Sequence, residues 1–182
     1  MMKGNHISID IEACGEIVLS IGACNFNPTT GEQVGPPFYC VPSVTQQLAA
    51  GLRPDGDALL WLLKQSDGCR EAIYRTQQHP IEAFNALREW WIDRESWAWA
   101  YPTSFDLPVI QRAMQAFGLQ PPWKWTKTMD GRTLWRLACH MSPALEKIER
   151  ESTPVEHHAL EDARQQAKWY ARYLVPIFKT ED

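Results

Sequence analysis

The sequence predicts an α/β fold in which one mixed sheet is covered by helices. The first part of the chain alternates polar and apolar residues, or is densely apolar, between turn signals, which is typical of β-strands. The remainder carries apolar side chains at helical spacing, with one more short strand among the helices. Strands that come first, followed by helices with a strand among them, indicate a sheet packed against helices.

Four strands are predicted from this pattern. Residues 6–11 alternate polar and apolar side chains, which is the period of a half-buried strand. Residues 16–26 form a more apolar run that ends at a turn rich in Pro, Thr and Gly, and residues 37–41 form a third strand. These three favour an antiparallel meander, and the alternation over 96–100 predicts a buried fourth strand.

The helices are predicted from apolar residues that recur every three to four positions and from capping signals. Ser104 or Asp106 is expected to cap one helix, which Gly118 ends, and Pro176 is expected to interrupt the last one. The segment 42–55 is the most loop-like part of the chain. The predicted helices span residues 57–64, 67–75, 79–91, the cap to 117, 133–141 and 158–178.

Length and composition bound the organisation of the chain. Its 182 residues suit a single domain over 1–182, and 45% apolar with 22% charged residues is a normal globular balance. No apolar run approaches the roughly 18 residues of a membrane span, and the start lacks the apolar core of a signal peptide. We therefore expect a cytoplasmic protein with no membrane contact.

Charge and cysteine content narrow the function. The 18 basic and 22 acidic residues give a formal net charge of −4. Domains that coat duplex DNA through phosphate contacts alone are usually basic, so any nucleic-acid contact is local or aided by bound cations. The five cysteines are odd in number and none forms a CxxC pair, which predicts reduced thiols and no zinc site.

Two carboxylates lie side by side on the first predicted strand. Residues two apart share a face of a strand, so alternate isoleucines point one way while Asp10 and Glu12 point the other. Neighbouring carboxylates repel each other, and a divalent cation that prefers oxygen ligands, Mg²⁺ or Mn²⁺, relieves the repulsion. The alternative is that this side of the strand is simply solvated.

Two further strings contain residues suited to catalysis. Asp106 lies where a strand-loop meets a helix, directly after Phe105, which we expect to be an anchor. The alternative for Asp106 is an ordinary helix N-cap. His157 lies at the entry to the last helix and Asp162 about one turn inside it. Histidine titrates near neutral pH and suits proton removal from water. The alternative is a solvated, charge-rich helix start.

Together these residues resemble the DEDDh exonucleases of the DnaQ-like superfamily, which have a ribonuclease-H fold. The four carboxylates and the histidine occur in the order strand, helix start, helix, and His157-x-Ala159-x-x-Asp162 matches the family motif. Other strings resemble a small group of 3′→5′ exonucleases often carried by phages and prophages. Those strings span residues 17–23, 30–32, 60–66, 121–125 and 130–134.

The resemblance implies a mixed five-stranded sheet of the ribonuclease-H type and a 3′→5′ exonuclease domain that acts on single-stranded nucleic acid. Asp10, Glu12 and Asp162 would hold one of two divalent cations, Asp10 would also bridge to the second, and Asp106 would help to position them. His157 would be the general base. Two cations about 3.5–4 Å apart activate water and stabilise the leaving oxygen.

Some positions depart from the family or suggest substrate contacts. Tyr101 stands in a segment where relatives carry a Gly-Asn-Gly type turn, and Ala13 stands where some have a hydroxyl residue. Trp125, between two lysines, suits base stacking or a homodimer interface. Arg132 would reach a phosphate or, as we favour, pair with Asp130. The candidate substrate contacts are Ala13, Tyr101, Phe105, Trp125 and Arg132.

Other conspicuous side chains are expected to be structural. The large aromatic residues Trp91, Trp99 and Trp135 are expected in the core. His158 occupies a position often filled by Asn or Arg in relatives and is given no catalytic role. Polar residues on the last helix, namely Gln166, Lys168 and Arg172, are expected to form a solvated face.

Two other functions compete with the exonuclease. A binding module that kept the fold but lost turnover would bind oligonucleotides without forming product. A phosphodiesterase for dinucleotides or modified nucleotides would fit a pocket narrowed by Tyr101 and Pro102, and would act only on two-nucleotide substrates.

Overall fold

The computed structural model of the chain describes residues 4–74, 77–147 and 157–178. A five-stranded sheet lies at its centre. The strands are β1 (His6–Cys14), β2 (Ile17–Phe26), β3 (Gln33–Cys40), β4 (Trp97–Ala100) and β5 (Thr128–Asp130). Their order is β3-β2-β1-β4-β5, with β2 antiparallel to β1 and β3, and with β1, β4 and β5 parallel to one another.

This sheet confirms the predicted mixed architecture, the antiparallel meander and the buried fourth strand. The fifth strand is missing from the pattern-based prediction because Thr128–Asp130 is only three residues long. Alternation over so short a segment carries no recognisable period. The strand forms through its parallel pairing with β4, in which Ala98 faces Thr128 and Ala100 faces Asp130.

Seven helices surround the sheet in the described part of the chain. The last of them is continuous through Pro176, so the interruption expected there does not occur. No described helix is both long and apolar enough to cross a membrane. The helices are α1 (Val44–Ala49), α2 (Gly56–Leu62), α3 (Asp67–Tyr74), α4 (Pro80–Trp90), α5 (Thr103–Ala116), α6 (Gly131–Met141) and α7 (Ala159–Phe178).

Helix α1 lies inside the segment 42–55 that the sequence predicts to be a loop, so that prediction is wrong. One buried amide accounts for its position. The side chain of Gln47 donates to the backbone oxygen of Val18 at 2.8 Å and accepts from the backbone N–H of Val18 at 2.9 Å. The two bonds satisfy backbone groups of β2, and apolar periodicity gives no signal for such an attachment.

The sheet carries a hydrophobic core on each face. Alternate isoleucines of β1 pack towards α4 and α5, and the opposite face packs beneath α6 and α7, as alternation along β1 predicts. The first core includes Ile7, Ile9, Ile11, Phe84, Leu87, Trp91, Ile110 and Met114. The second includes Phe26, Trp99, Leu134, Tyr170 and Leu174. Trp91 and Trp99 are buried as predicted, whereas Trp135 is only partly buried.

A glycine on β2 allows the start of α7 to lie directly on the sheet. A Cβ atom added to Gly22 would lie 2.1 Å from the backbone nitrogen of Leu160, closer than any non-bonded contact allows. Gly22 is the strand partner of Asp10. The first turn of α7 is therefore held beside the first carboxylate of β1.

Candidate active site

The polar face of β1 is buried rather than solvated. Asp10 and Glu12 point towards α7. Asp10 is half-buried, Glu12 is only 7% exposed, and the neighbouring Ser8 is fully buried. The interpretation of this face as a solvated surface is therefore wrong. Burial makes the repulsion between the two carboxylates costly, because charges interact more strongly away from water.

The third carboxylate comes from the first turn of α5. Asp106 is 3% exposed, and its carboxylate accepts a hydrogen bond from the backbone N–H of Ile11 on β1. The N-cap position of α5 is Pro102, so the interpretation of Asp106 as an ordinary helix cap is wrong. Within the described residues, Asp106 Oδ2 has no hydrogen-bond partner.

The remaining two residues come from the entry and the first turns of α7. His157 adopts φ of +60°, a left-handed conformation that is uncommon for a residue with a side chain. One ligand atom each from Glu12, His157 and Asp162 lie within 4.8 Å of one another. Strain of this kind is often found at functional sites, where the surrounding structure holds it in place.

Burial and mutual repulsion raise the pKa values of the carboxylates. Burial raises the pKa of Glu12 from 4.5 to about 8, with further contributions from Asp162 and Asp106. The pKa of Asp106 rises from 3.8 to about 7, chiefly through burial and against the hydrogen bond from Ile11. The pKa of Asp10 is raised well above 3.8, first by burial and then by repulsion from its three carboxylate neighbours. A positive charge beside these carboxylates would favour their ionised forms.

These donors fit a divalent cation. Carboxylate oxygens and an imidazole nitrogen are ligands that divalent metals accept, and the partnerless Asp106 Oδ2 is a buried acceptor that a cation or its bound water would satisfy. A bound cation would also offset the burial and the mutual repulsion that raise the carboxylate pKa values. The site is therefore a candidate metal centre with an adjacent histidine.

A buried amide that the sequence does not predict lies next to the carboxylates. Gln166 is 6% exposed, and its Nε2 donates to Asp10 Oδ1 at 2.7 Å. The Tyr170 hydroxyl donates to Gln166 Oε1 at 2.9 Å. The solvated face expected for Gln166 is wrong, although Lys168 on the same helix is exposed. The spacing of Asp162, Gln166 and Tyr170, each four residues apart, is the signal that was available.

Aromatic side chains pack against both histidines at the start of α7. The Trp61 ring of α2 meets the His157 ring edge to face, with 4.7 Å between the ring centroids. The ring of His158 instead stacks on Tyr39, with a centroid distance of 4.8 Å. The sequence does not predict this position for Trp61, because nothing in the local pattern of α2 links it to residue 157.

Two candidate substrate contacts lie beside the carboxylates in the chain. Phe105 precedes Asp106 and is 46% exposed, so the anchor role expected for it is wrong and its ring is open to a ligand. Ala13 follows Glu12 at an irregularity in the β1–β2 register and is partly exposed. Ala13 packs against the first core, on the isoleucine face of the sheet, so of the two only Phe105 offers an exposed ring next to a carboxylate of the site.

Tyr101 and Arg132 form a contact at the start of α6. The Arg132 guanidinium carbon lies 5.5 Å from the centroid of the Tyr101 ring, and Arg132 lowers the pKa of Asp106. Among the described residues, Asp130 forms no ion pair with Arg132, so the favoured pairing is wrong. It accepts hydrogen bonds from the backbone and side chain of Thr103 and of Thr133, which joins the starts of α5 and α6.

The structure does not bring Trp125 to the carboxylates. It is 84% exposed in a short 3-10 helix immediately before β5, at the end of the parallel strands opposite to Asp10. The adjacent Trp123 is 5% exposed and packs against Trp91. The two tryptophans therefore have different environments.

The sheet order and the helices on both faces define a ribonuclease-H-like fold, which solved exonuclease structures share. A family model described as the 3′-5′ exoribonuclease Rv2179c-like domain matches residues 5–174. The chain belongs to this Rv2179c-like family. No curated protein sequence matches it.

Solved exonuclease structures share the fold at low sequence identity. An exonuclease I structure matches with a TM-score of 0.66 and 12% identity over 95% of this chain and 43% of its own. The nuclease domain of 3′hExo, a DEDDh member bound to rAMP, matches with a TM-score of 0.63 and 14% sequence identity. The match covers 94% of this chain and 92% of the 3′hExo domain. A zinc-bound Escherichia coli exonuclease I complex with single-stranded DNA matches with a TM-score of 0.59 and 15% sequence identity. The match covers 99% of this chain and 42% of the exonuclease I chain. The chain thus spans less than half the length of the exonuclease I chains.

Proposed function

We propose that this chain is a single-domain, metal-dependent 3′→5′ exonuclease that releases nucleoside 5′-monophosphates from single-stranded nucleic acid. One observation carries the proposal. Carboxylates from β1, α5 and α7, far apart in the chain, converge beside a histidine, with Glu12 and Asp106 buried and Asp10 and Asp162 half-buried. A protein gains no stability from four crowded carboxylates, so a role in holding cations accounts for them better than a structural one.

Asp10, Glu12 and Asp162 would hold one Mg²⁺ or Mn²⁺, Asp10 would also contact a second ion, and Asp106 would help to position both. When bound, such ions would supply charge neutralisation at the phosphodiester, activation of the water and stabilisation of the leaving oxygen. The four carboxylates would determine where the scissile phosphate binds, because they would hold the positive charge that attracts it.

His157 is the proposed general base. It lies next to Glu12 and Asp162, and its ring packs against the Trp61 ring at a near-perpendicular angle, which holds the imidazole beside the cluster. In this position the imidazole accepts a proton from the attacking water. The left-handed backbone at residue 157 serves to aim the ring at the cluster rather than along α7.

Phe105 and Arg132 are the proposed contacts to the 3′-terminal nucleotide. The exposed Phe105 ring offers a stacking surface next to Asp106, and stacking tolerates any base. Arg132 offers positive charge beside Tyr101 on the same side of the sheet as α7. Single-stranded RNA is the first substrate to test, since the family is described as exoribonuclease.

The test is a gel assay with matched 5′-labelled RNA and DNA oligonucleotides, in Mn²⁺ and in EDTA. We expect a metal-dependent ladder that shortens from the 3′ end and disappears in Asp10→Asn and Asp162→Asn. Glu161→Gln is the matched control, because Glu161 neighbours Asp162 but pairs with Arg164. Hydrolysis by both asparagine variants would contradict the mechanism.

The same experiment separates the competing functions. Oligonucleotide binding without product in any divalent metal would indicate an inactive binding module. Cleavage confined to dinucleotides in a chain-length series would indicate a short-substrate phosphodiesterase. A cytoplasmic location and a homodimer stay predictions, and light scattering in solution tests the second.

A further inference from the structure

α7 and β1 are matched along a shared row of side chains. Positions four apart on a helix are separated by about 6 Å along its axis, and positions two apart on a strand by about 6.6 Å. Because these spacings nearly agree, three helix residues face three strand residues. Asp162 faces Glu12, Gln166 faces Asp10 and Tyr170 lies beside Ser8.

The middle pair of this row joins a neutral amide to a carboxylate of the site. Gln166 donates to Asp10 over 2.7 Å, at 6% exposure. A carboxylate with one oxygen bonded to a fixed donor is held in one orientation, so its remaining lone pairs point in fixed directions. The bond thus restricts Asp10, which is the first of the proposed metal ligands along the chain.

Tyr170 determines which end of the amide faces Asp10. A glutamine amide has a donating NH₂ and an accepting oxygen, and only the NH₂ is compatible with a carboxylate. The Tyr170 hydroxyl donates to Gln166 Oε1 over 2.9 Å, which holds the NH₂ towards Asp10. Tyr170 is itself fully buried and stacked on Trp99, with 5.2 Å between ring centroids, so its hydroxyl is fixed.

Resting on the proposed function, we infer that Gln166 is a positioning residue for the Asp10 carboxylate and that Tyr170 fixes the Gln166 amide. Neither residue touches the reacting atoms. Loss of either bond frees Asp10 to rotate and weakens the metal affinity of the site. Partners that orient metal ligands are typically worth about 10–100-fold in metal affinity or activity.

Titration calorimetry with Mn²⁺ on the whole chain tests this inference without relying on hydrolysis. Gln166→Leu is expected to raise the Mn²⁺ dissociation constant about 10-fold or more. Tyr170→Phe keeps the ring on Trp99 and removes only the hydroxyl, so it is expected to raise the constant by a smaller factor. Because Tyr170 acts on Asp10 through Gln166, the double variant is expected to bind Mn²⁺ no more weakly than Gln166→Leu alone.

Gln165→Leu is the matched control. Gln165 lies on the same helix, is 7% exposed, and its Nε2 has no hydrogen-bond partner among the described residues. Its replacement removes an equally buried amide without touching Asp10, so Mn²⁺ affinity is expected to stay at the wild-type value. Equal losses in Gln165→Leu and Gln166→Leu would overturn the inference in favour of a general packing effect.

Steady-state kinetics supply a second readout. In Gln166→Leu, the cleavage rate is expected to fall at low Mn²⁺ and to recover at high Mn²⁺, with KM for the oligonucleotide unchanged. If Gln166→Leu does not fold by circular dichroism, Tyr170→Phe carries the test alone. Unchanged Mn²⁺ affinity in these variants, with binding lost in Asp10→Asn, overturns the inference and leaves the proposed function standing. A wild-type chain that binds no Mn²⁺ overturns both.

Discussion

Glu12→Gln should stabilise the metal-free protein at alkaline pH. The substitution removes the charge of Glu12 while keeping its size and a polar end. Burial, followed by repulsion from Asp162 and Asp106, raises the pKa of Glu12 from 4.5 to about 8. Between these pH values the folded protein keeps a proton that the unfolded chain has lost. Its stability therefore falls as pH rises from about 4.5 to 8.

The size of the effect follows from the same values. One pKa unit corresponds to about 1.36 kcal/mol, so full ionisation of Glu12 costs on the order of 5 kcal/mol. That is a large share of the roughly 5–15 kcal/mol by which domains are stable. Without metal, Glu12→Gln is expected to exceed the wild type in unfolding free energy by up to about this amount at pH 9. The difference should largely disappear at pH 4, where Glu12 is neutral in both states.

Urea denaturation followed by circular dichroism, in EDTA at several pH values between 4 and 9, measures this difference. Excess Mn²⁺ should reverse the order at pH 8, because the ion stabilises the wild-type cluster and binds the variant poorly. Glu161→Gln serves as the control, since it removes a charge paired with Arg164 on the same helix. Parallel pH curves for wild type and Glu12→Gln would refute the electrostatic reasoning.

Three further outcomes are expected from residues around the site. Gly22→Ala should lose about 1–3 kcal/mol of stability and most activity, because the new methyl group displaces the start of α7; denaturation and the ladder assay measure these. Phe105→Ala should raise KM for single strands by roughly 5–100-fold with little loss of metal affinity, as steady-state kinetics would show. Trp125→Ala should leave KM within about twofold in the same assay, since Trp125 lies at the opposite end of the strands. A raised KM there would place substrate along that end.

The sequence predicted those features of the site that depend on one element. Alternation along residues 6–11 puts Asp10 and Glu12 on the same side of a strand, because side chains alternate in any extended chain. Helical spacing likewise predicts the last helix, with Asp162 about one turn from His157. The strings around these residues also resemble those of the DEDDh exonucleases in the sequence alone.

Long-range packing decided the remainder. The carboxylate face of β1 is buried only because α7 covers it, and α7 approaches so closely only because Gly22 has no side chain. Gln166 and Asp10 are 156 residues apart in the chain, so the spacing along α7 relates the amide to Asp162 but not to Asp10. Trp125 looks like a stacking residue in sequence but lies at the other end of the sheet. Periodicity determines which side chains share a face, and only the tertiary structure determines what covers that face.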